Sequence, residues 1–315
     1  MRSQFKWIYV FAALTTAALY GCLKPEEGFL SNNIYYRANP FVATQGGITT
    51  SAPLETDGST SPITVKLLAI RNKATGKSAE DLLKEREVQV YLKEVTAEDN
   101  TVEKLNAKLG KKMVKPVNIN PVGGRIEVSQ ASEFVDTGTY TIDIEVSNVR
   151  GTKVINNAAD IRILPKKHYE FIGTPSFTNS DPLPLPDGNF LPSTGTVTID
   201  RDAAGPNKII FKFVDKNGVP YNPKKNEVII RGDRPHFALM DPYYAEERTD
   251  TAIVFQYPTA PFPLIKGSFG NYVNYYRIPS TANSLARNIN VTMEFRVYSK
   301  GTYLVTIRTT DASHS

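Results

Sequence analysis

The stretch from residue 237 to residue 276 holds ten aromatic side chains, and seven of them stand among Pro, Gly and Asn, which predicts loops. An exposed aromatic ring can stack on the apolar face of a sugar, while amide and carboxylate neighbours bond its hydroxyls. Asn271, Asn274 and Asp241 are such neighbours. The candidate ligand-binding residues are Tyr243, Tyr244, Tyr272, Tyr275 and Tyr276. Alternatively, these rings form a satellite core that pins long loops onto the fold.

Catalytic chemistry has weak support in the sequence. Gly-x-Ser-x-Gly, His-Glu-x-x-His and a phosphate-binding glycine loop do not occur. The three histidines are far apart, and His314 stands at a terminus that is expected to fray. The acids between residues 241 and 250 fit a solvated loop better than a catalytic pair. We therefore expect no catalytic residue, no cofactor and no metal site, although a calcium site assembled from distant loops stays open.

Composition excludes several classes of protein. The chain has 315 residues, with 37 Lys and Arg against 32 Asp and Glu, and a formal net charge of +5. No basic run resembles a nucleic-acid-binding arm, so nucleic acid is excluded as a partner. The single cysteine excludes an internal disulfide framework. The length suits two domains.

The first 21 residues have the pattern of a signal peptide. Arg2 and Lys6 precede an apolar run that ends at Tyr20, which is shorter than the ~20 residues a membrane-spanning helix needs. The next residues, Gly21 and Cys22, complete a segment that resembles a bacterial lipobox. That resemblance implies lipidation of Cys22, with fatty acyl groups such as palmitate holding the protein on the membrane.

The residues after Cys22 suggest where the lipid anchor resides. Lys24-Pro25-Glu26-Glu27 resembles the lysine-plus-acidic export signal of surface lipoproteins in Bacteroidota. The resemblance implies a cell outer membrane location, exposed on the cell surface. The alternative is an ordinary solvated tether. We expect a lipidated tether over residues 22–45.

Alternating apolar residues predict an all-β protein. The period-2 pattern is clearest from Tyr140 to Val146, and it recurs at residues 63–70 and 88–95. Asp136-Thr-Gly-Thr-Tyr140 resembles the tyrosine corner of immunoglobulin-like sandwiches. We therefore expect an Ig-like β-sandwich domain over residues 46–164, with a short helix near residues 102–109 capped by Asn100 or Thr101.

A second β-sandwich, a jelly roll or another Ig-like sandwich with long loops, is expected over residues 165–315. Asn217-Gly218 predicts a hairpin turn. The amphipathic segments 291–298 and 303–308 predict a terminal hairpin. Arg231-Gly232-Asp233 matches the integrin tripeptide, but its position at a strand end favours a simple turn.

Signal peptide, lipobox, export signal and two β domains together resemble the accessory surface lipoproteins that accompany SusC/SusD-type glycan importers. The resemblance implies non-catalytic capture of a polysaccharide or oligosaccharide, with the importer as a further partner. A structural subunit docking on the importer or on an adhesive surface layer is the alternative, and a glycan-cleaving enzyme is a third. The sequence leaves the glycan and the oligomeric state open.

Overall fold

A computed structural model describes residues 28–182 and 190–315. The predicted signal peptide, Cys22 and the export signal lie outside these ranges. The described residues divide into two compact units, 28–88 with 112–166 and 89–111 with 167–182 and 190–315. Each is built from β-sheets, which confirms the all-β prediction. Within the described ranges, no helix is long and apolar enough to cross a membrane.

The first unit is a sandwich of two small sheets. The strands up to residue 166 are β1 (Phe41–Thr44), β2 (Thr49–Thr50), β3 (Thr64–Asn72), β4 (Arg86–Tyr91), β5 (Leu109–Val114), β6 (Val117–Ile119), β7 (Ile126–Val128), β8 (Gly138–Asn148) and β9 (Gly151–Leu164). One sheet has the order β1-β9-β8-β3 and the other β2-β7-β6. Short 3₁₀ turns occur at Glu80–Leu82 and Gln130–Phe134.

A tyrosine corner closes this sandwich at the start of β8. The Tyr140 side chain is 4% exposed, and its hydroxyl donates a hydrogen bond to the Asp136 carbonyl oxygen at 2.8 Å. The inward residues of β8, Ile142, Ile144 and Val146, are completely buried. Because this corner is a hallmark of immunoglobulin-like sandwiches, it supports the Ig-like assignment of the first domain.

The first sandwich begins earlier than residue 46. β1 pairs in parallel with β9, and Ile34, Tyr36 and Phe41 are buried in the same core. The Tyr36 hydroxyl donates to the Gly124 carbonyl oxygen at 2.6 Å. Residues 28–45 therefore belong to the folded domain rather than to the predicted tether, because their apolar side chains complete its core.

A long hairpin, β4 to β5, carries the only α-helix among the described residues. This helix, α1 (Val102–Asn106), begins after Thr101, whose hydroxyl accepts the Lys104 backbone N–H at 3.3 Å. The predicted helix is thus present with one of the two predicted caps, and it ends three residues earlier than expected. The hairpin residues Gln89–Lys111 group with the second unit.

The second unit is a larger sandwich. Its strands are β10 (Tyr169–Phe171), β11 (Ser176–Ser180), β12 (Leu191–Pro192), β13 (Gly195–Asp202), β14 (Lys208–Val214), β15 (Ile229–Ile230), β16 (Glu247–Arg248), β17 (Ile253–Gln256), β18 (Val273–Ile278), β19 (Asn288–Val297) and β20 (Thr302–Thr309). 3₁₀ turns occur at Pro223–Lys225, Phe237–Met240 and Ser280–Ala282.

Two sheets enclose an aromatic core. One has the order β12-β11-β19-β18-β15, with β10 also paired to β19, and the other has the order β13-β20-β14-β17-β16. The ring of Phe211 contacts those of Phe237, Phe255, Tyr276 and Phe295 at centroid distances of 5.3 to 5.8 Å. Because β14 and β20 run parallel, the arrangement is not a jelly roll, whose strands are antiparallel.

Of the two predicted hairpins of the second unit, the terminal one does not form, and the one at Asn217-Gly218 is short, with an antiparallel bridge between Val214 and Pro220. β19 and β20 belong to opposite sheets, so the turn between them crosses the sandwich. The Asn217-Gly218 turn forms, with the Gly218 N–H donating to the Asp215 carbonyl oxygen at 3.1 Å. However, β14 pairs with β17 and β20 instead of with β15. Amphipathic strands can bury one face from either sheet, and alternation alone does not select the partner.

Candidate functional site

Tyr276 is a core residue, and its prediction as an exposed loop ring is wrong. It lies in β18, is completely buried, and its hydroxyl accepts the Phe237 backbone N–H at 3.3 Å. Burial raises the pKa of its hydroxyl. Asn and Tyr around it are typical of loops, but pairing with β19 makes this segment a strand that directs Tyr276 inward.

Tyr275, the adjacent residue, is half-buried and faces the other side of the sheet. Its backbone N–H donates to the Pro235 carbonyl oxygen at 2.9 Å. Its ring stands at 74° to that of Phe269, with 6.2 Å between centroids, and the Arg234 guanidinium lies 5.6 Å from the Tyr275 centroid. Phe269 is 53% exposed.

A tight turn brings two arginines to the same region. The Arg234 backbone N–H donates to the Arg231 carbonyl oxygen at 3.1 Å, and Gly232 has a φ of +58°, a conformation that favours glycine. This confirms that the Arg-Gly-Asp tripeptide forms a turn. The Arg231 guanidinium lies 5.0 Å from the ring centroid of Phe190, which is 48% exposed.

These contacts form two groups, Phe190 with Arg231 and Arg234 with Tyr275 and Phe269, which the backbone of the turn at residues 231–234 links. We call the two groups together the aromatic–arginine surface, which consists of Phe190, Arg231, Arg234, Phe269 and Tyr275. From the sequence, Tyr275 was predicted as a ligand-binding residue, Phe269 was one of the seven loop aromatics, and Arg231 was assigned to a turn. The residues that were not predicted to bind a ligand lie far apart along the chain, and the pair of arginines beside a glycine turn was a further sequence signal.

Tyr272 takes part in a separate stack. The Arg296 guanidinium lies 4.5 Å from its ring centroid and 5.6 Å from that of Tyr298. Arg296 also donates from Nη2 to the Pro263 carbonyl oxygen at 3.1 Å. One face of the Tyr272 ring is therefore covered by a side chain that the protein itself holds in place.

Tyr243 and Tyr244 flank a buried carboxylate. Asp241 is 3% exposed, its Oδ1 accepts the Tyr243 backbone N–H at 3.4 Å, and its Oδ2 has no hydrogen-bond partner in the described ranges. Burial raises the pKa of Asp241 to about 7 and that of Tyr243 to about 12. Asp241 is thus withdrawn from the surface, whereas both tyrosines remain half-buried.

The acids near Asp241 have separate environments. Glu246 pairs with Arg248 at 2.8 Å, while the exposed Asp250 lies 3.9 Å from the Lys224 ammonium group. Among the residues that the structure describes, no group of three or more His, Cys, Asp or Glu side chains could hold a metal ion.

His168 contacts a serine hydroxyl, and His314 contacts a carboxylate elsewhere in the chain. His168 Nδ1 lies 2.9 Å from the Ser299 hydroxyl oxygen, and His314 Nε2 lies 2.7 Å from Glu227 Oε2. These two contacts do not form one serine–histidine–carboxylate relay. His314 is also held by a bridge to Asn283, so the expectation of a frayed end is wrong there.

The first unit contains a hollow that the sequence did not indicate. It measures about 750 Å³, and its lining includes Leu83, Tyr140, Asp81, Asp136 and the exposed ring of Phe134. It combines one accessible ring with acidic side chains. The aromatic–arginine surface combines three rings with two guanidinium groups, and is therefore the better candidate site.

Comparisons with known proteins found no matching family model and no matching curated protein. One solved structure that the chain resembles is a SusE-like, surface-located polysaccharide-binding protein from the heparin utilisation locus of Bacteroides thetaiotaomicron. The identity is 10% and the TM-score 0.27, over 88% of this chain and 53% of the other. This chain thus spans about half the length of that protein, and the similarity is too low to transfer any property.

Proposed function

We propose that this protein is a non-catalytic glycan-binding protein of the cell surface. Lipid at Cys22 holds it on the outer membrane, where it assists polysaccharide capture for a SusC/SusD-type importer. The aromatic–arginine surface is the observation that carries the proposal, and the N-terminal resemblance supplies the location.

The exposure of Phe269 is the central argument. The second unit buries Phe237, Phe255 and Phe262 to 1% exposure or less, yet leaves Phe269 more than half exposed. Burying a phenylalanine side chain is worth about 1.5–3 kcal/mol, so this position forgoes stabilisation that the nearby phenylalanines obtain. Phe269 differs from an equally exposed single ring such as Phe29 because it contacts Tyr275, which in turn carries Arg234, and such a cluster of exposed rings suits a ligand.

Phe269 and Tyr275 would make different contacts with a sugar. Arg234 lies over Tyr275, so Phe269 offers the freer face for a sugar. The Tyr275 hydroxyl makes no hydrogen bond within the described ranges, and it stands ready to bond a sugar hydroxyl. The two rings form a corner rather than a flat row, so a stacked sugar would meet both a ring face and a polar edge.

Micromolar binding of a glycan requires several contacts between the sugar and the protein. Stacking on one ring contributes on the order of 1 kcal/mol, whereas micromolar affinity requires about 8 kcal/mol. The patch supplies three rings and the exposed guanidinium of Arg234 for that purpose. Tyr243, Tyr244 and Tyr272 stay proposed as ligand contacts at a second edge, apart from this surface, since Tyr243 and Tyr272 pack against the core.

Affinity gel electrophoresis with a panel of polysaccharides tests the proposal. Phe269→Ala and Tyr275→Ala should each reduce retention by a glycan that retards the wild type, and the double variant should abolish it. The melting temperature should change little, because both side chains are partly exposed. Phe29→Ala is the matched control, since Phe29 is 51% exposed in the first unit.

If Phe269→Ala and Phe29→Ala behave alike on every glycan that retards the protein, the assigned surface is wrong. If no glycan retards the wild type, while the protein co-purifies with an importer, the docking alternative replaces the proposal.

A further inference from the structure

We infer that the ligand of the aromatic–arginine surface is an acidic glycan, whose carboxylate or sulfate groups pair with Arg234. The inference rests on the proposed function and narrows it to one class of polysaccharide. It comes from the charge of the surface, whereas the proposed function comes from its rings.

The Arg234 guanidinium has no ion-pair partner among the described residues. The residue is exposed, and within the described ranges its guanidinium also makes no hydrogen bond. The guanidinium lies over the ring of Tyr275, 5.6 Å from its centroid. A guanidinium stacked on a ring keeps its N–H groups directed outward, where they can form a paired hydrogen bond with an oxyanion.

Other arginines of the same unit have internal roles. Arg296 also stacks on a tyrosine, but it donates to the Pro263 carbonyl oxygen. Arg248 pairs with Glu246 at 2.8 Å. Among the described residues Arg234 has the ring contact without such a partner, so it packs on the Tyr275 ring and still presents a cation to a ligand.

The position of Arg234 is set by the backbone. The turn that begins at Arg231 and the hydrogen bond from the Tyr275 N–H to the Pro235 carbonyl oxygen fix the chain on both sides of it. Because the backbone is already held, anion binding needs to order only the Arg234 side chain, which favours selective recognition. Neutral sugars would gain ordinary hydrogen bonds there, and acidic sugars would gain charge-assisted bonds.

The negative charge of Asp233 allows a test of whether the ligand is an anion. This exposed acid lies on the same turn, and its negative charge opposes the approach of an anion. Asp233→Asn should therefore strengthen binding to an acidic glycan and leave binding to a neutral glycan unchanged.

The experiment compares polygalacturonate and chondroitin sulfate with the neutral polymers dextran and starch in affinity gels at low and high salt. The wild type should be retarded by an acidic polymer, and less so at high salt. Arg234→Gln should weaken that interaction about tenfold or more, since a charged hydrogen bond is worth about 1.5–3 kcal/mol. Arg234→Lys should restore part of it. Arg37→Gln removes the same charge from an exposed position of the first unit and should have little effect.

The outcomes separate the two proposals. Retention by neutral polymers alone, lost in Phe269→Ala and unchanged in Arg234→Gln, overturns the acidic class and leaves glycan binding in place. Equal losses in Arg37→Gln and Arg234→Gln indicate attraction by overall charge and also overturn the inference. If none of the four polymers and no glycan of the wider panel retards the wild type, both proposals fail.

Discussion

Replacing Asp241 with asparagine should stabilise the protein at pH 8 and reduce the pH dependence of its stability. The side chain is 3% exposed, and Oδ2 has no hydrogen-bond partner in the described ranges. The backbone N–H groups of Tyr243 and Tyr244 favour the ionised form, but burial outweighs them and raises the pKa of Asp241 from 3.8 to about 7. The native fold therefore favours the neutral carboxyl group.

The pH dependence of the free energy of unfolding follows from the difference between the pKa of Asp241 in the folded chain and its pKa in the unfolded chain. Below pH 3.8 the carboxyl group is protonated in both the folded and the unfolded chain, and it costs nothing. As the pH rises from 3.8 towards 7, the unfolded chain releases this proton first, so the free energy of unfolding falls. Each pH unit in this interval is worth about 1.4 kcal/mol, which gives a cost of about 4 kcal/mol above pH 7.

Asparagine removes that cost and introduces a smaller one. Its Oδ1 can still accept the Tyr243 N–H, but its NH₂ group would replace the unpartnered Oδ2. An unsatisfied buried donor costs about 1–3 kcal/mol. We therefore expect the variant to be more stable than the wild type by about 1–3 kcal/mol at pH 8, and to be equally or less stable at pH 4.

Urea unfolding of the chain without its signal peptide, followed by circular dichroism between pH 4 and pH 8, measures both quantities. The difference between variant and wild type should change by about 3 to 4 kcal/mol over that range. Asp250→Asn is the matched control, because Asp250 is exposed and should change the free energy of unfolding by less than about 0.5 kcal/mol. A difference that stays constant with pH would refute the assignment of a strongly raised pKa to Asp241.

Two further predictions concern the first domain and the anchor. Tyr140→Phe should preserve the fold and lower the free energy of unfolding by about 1–3 kcal/mol, because it removes the bond to the Asp136 carbonyl oxygen; a change near zero in urea unfolding would contradict the tyrosine corner. Cys22→Ser should abolish labelling by a fatty-acid probe, whereas alanine at Lys24, Glu26 and Glu27 should retain the label and reduce access of external protease. Undiminished labelling of the serine variant, or unchanged protease access in the alanine variant, would count against the lipid anchor or surface display, respectively.

The features that could be predicted from the sequence depend on neighbouring residues. The alternation from Tyr140 to Val146 requires a strand with a buried face, and the turn before it places the tyrosine hydroxyl within reach of the Asp136 carbonyl. The cap at Thr101 and the turn at Gly232 are equally local. In such cases a few consecutive residues contain most of the interaction that determines the structure.

The buried face of the strand around Tyr275 and Tyr276 could not be predicted from neighbouring residues. Val273 and Tyr275 face one side and Asn274 and Tyr276 the other, so each face carries both polar and apolar character. No alternation marks the inner face. Packing against Phe211 and Phe213 makes Tyr276 a core residue, and that contact exists only once both sheets have assembled.

By itself, the sequence determined an all-β chain, the positions of the strands with clear alternation, the tyrosine corner and the local turns, because each depends on a short backbone segment and its solvation. Only the tertiary structure decided that β19 and β20 join opposite sheets, that Asp241 is buried, and that residues 190, 231, 234, 269 and 275 meet around one turn. These outcomes require contacts between segments that are distant along the chain. A residue's own side chain does not specify which distant segment will cover it, so burial and charge compensation are set only when the sheets pack.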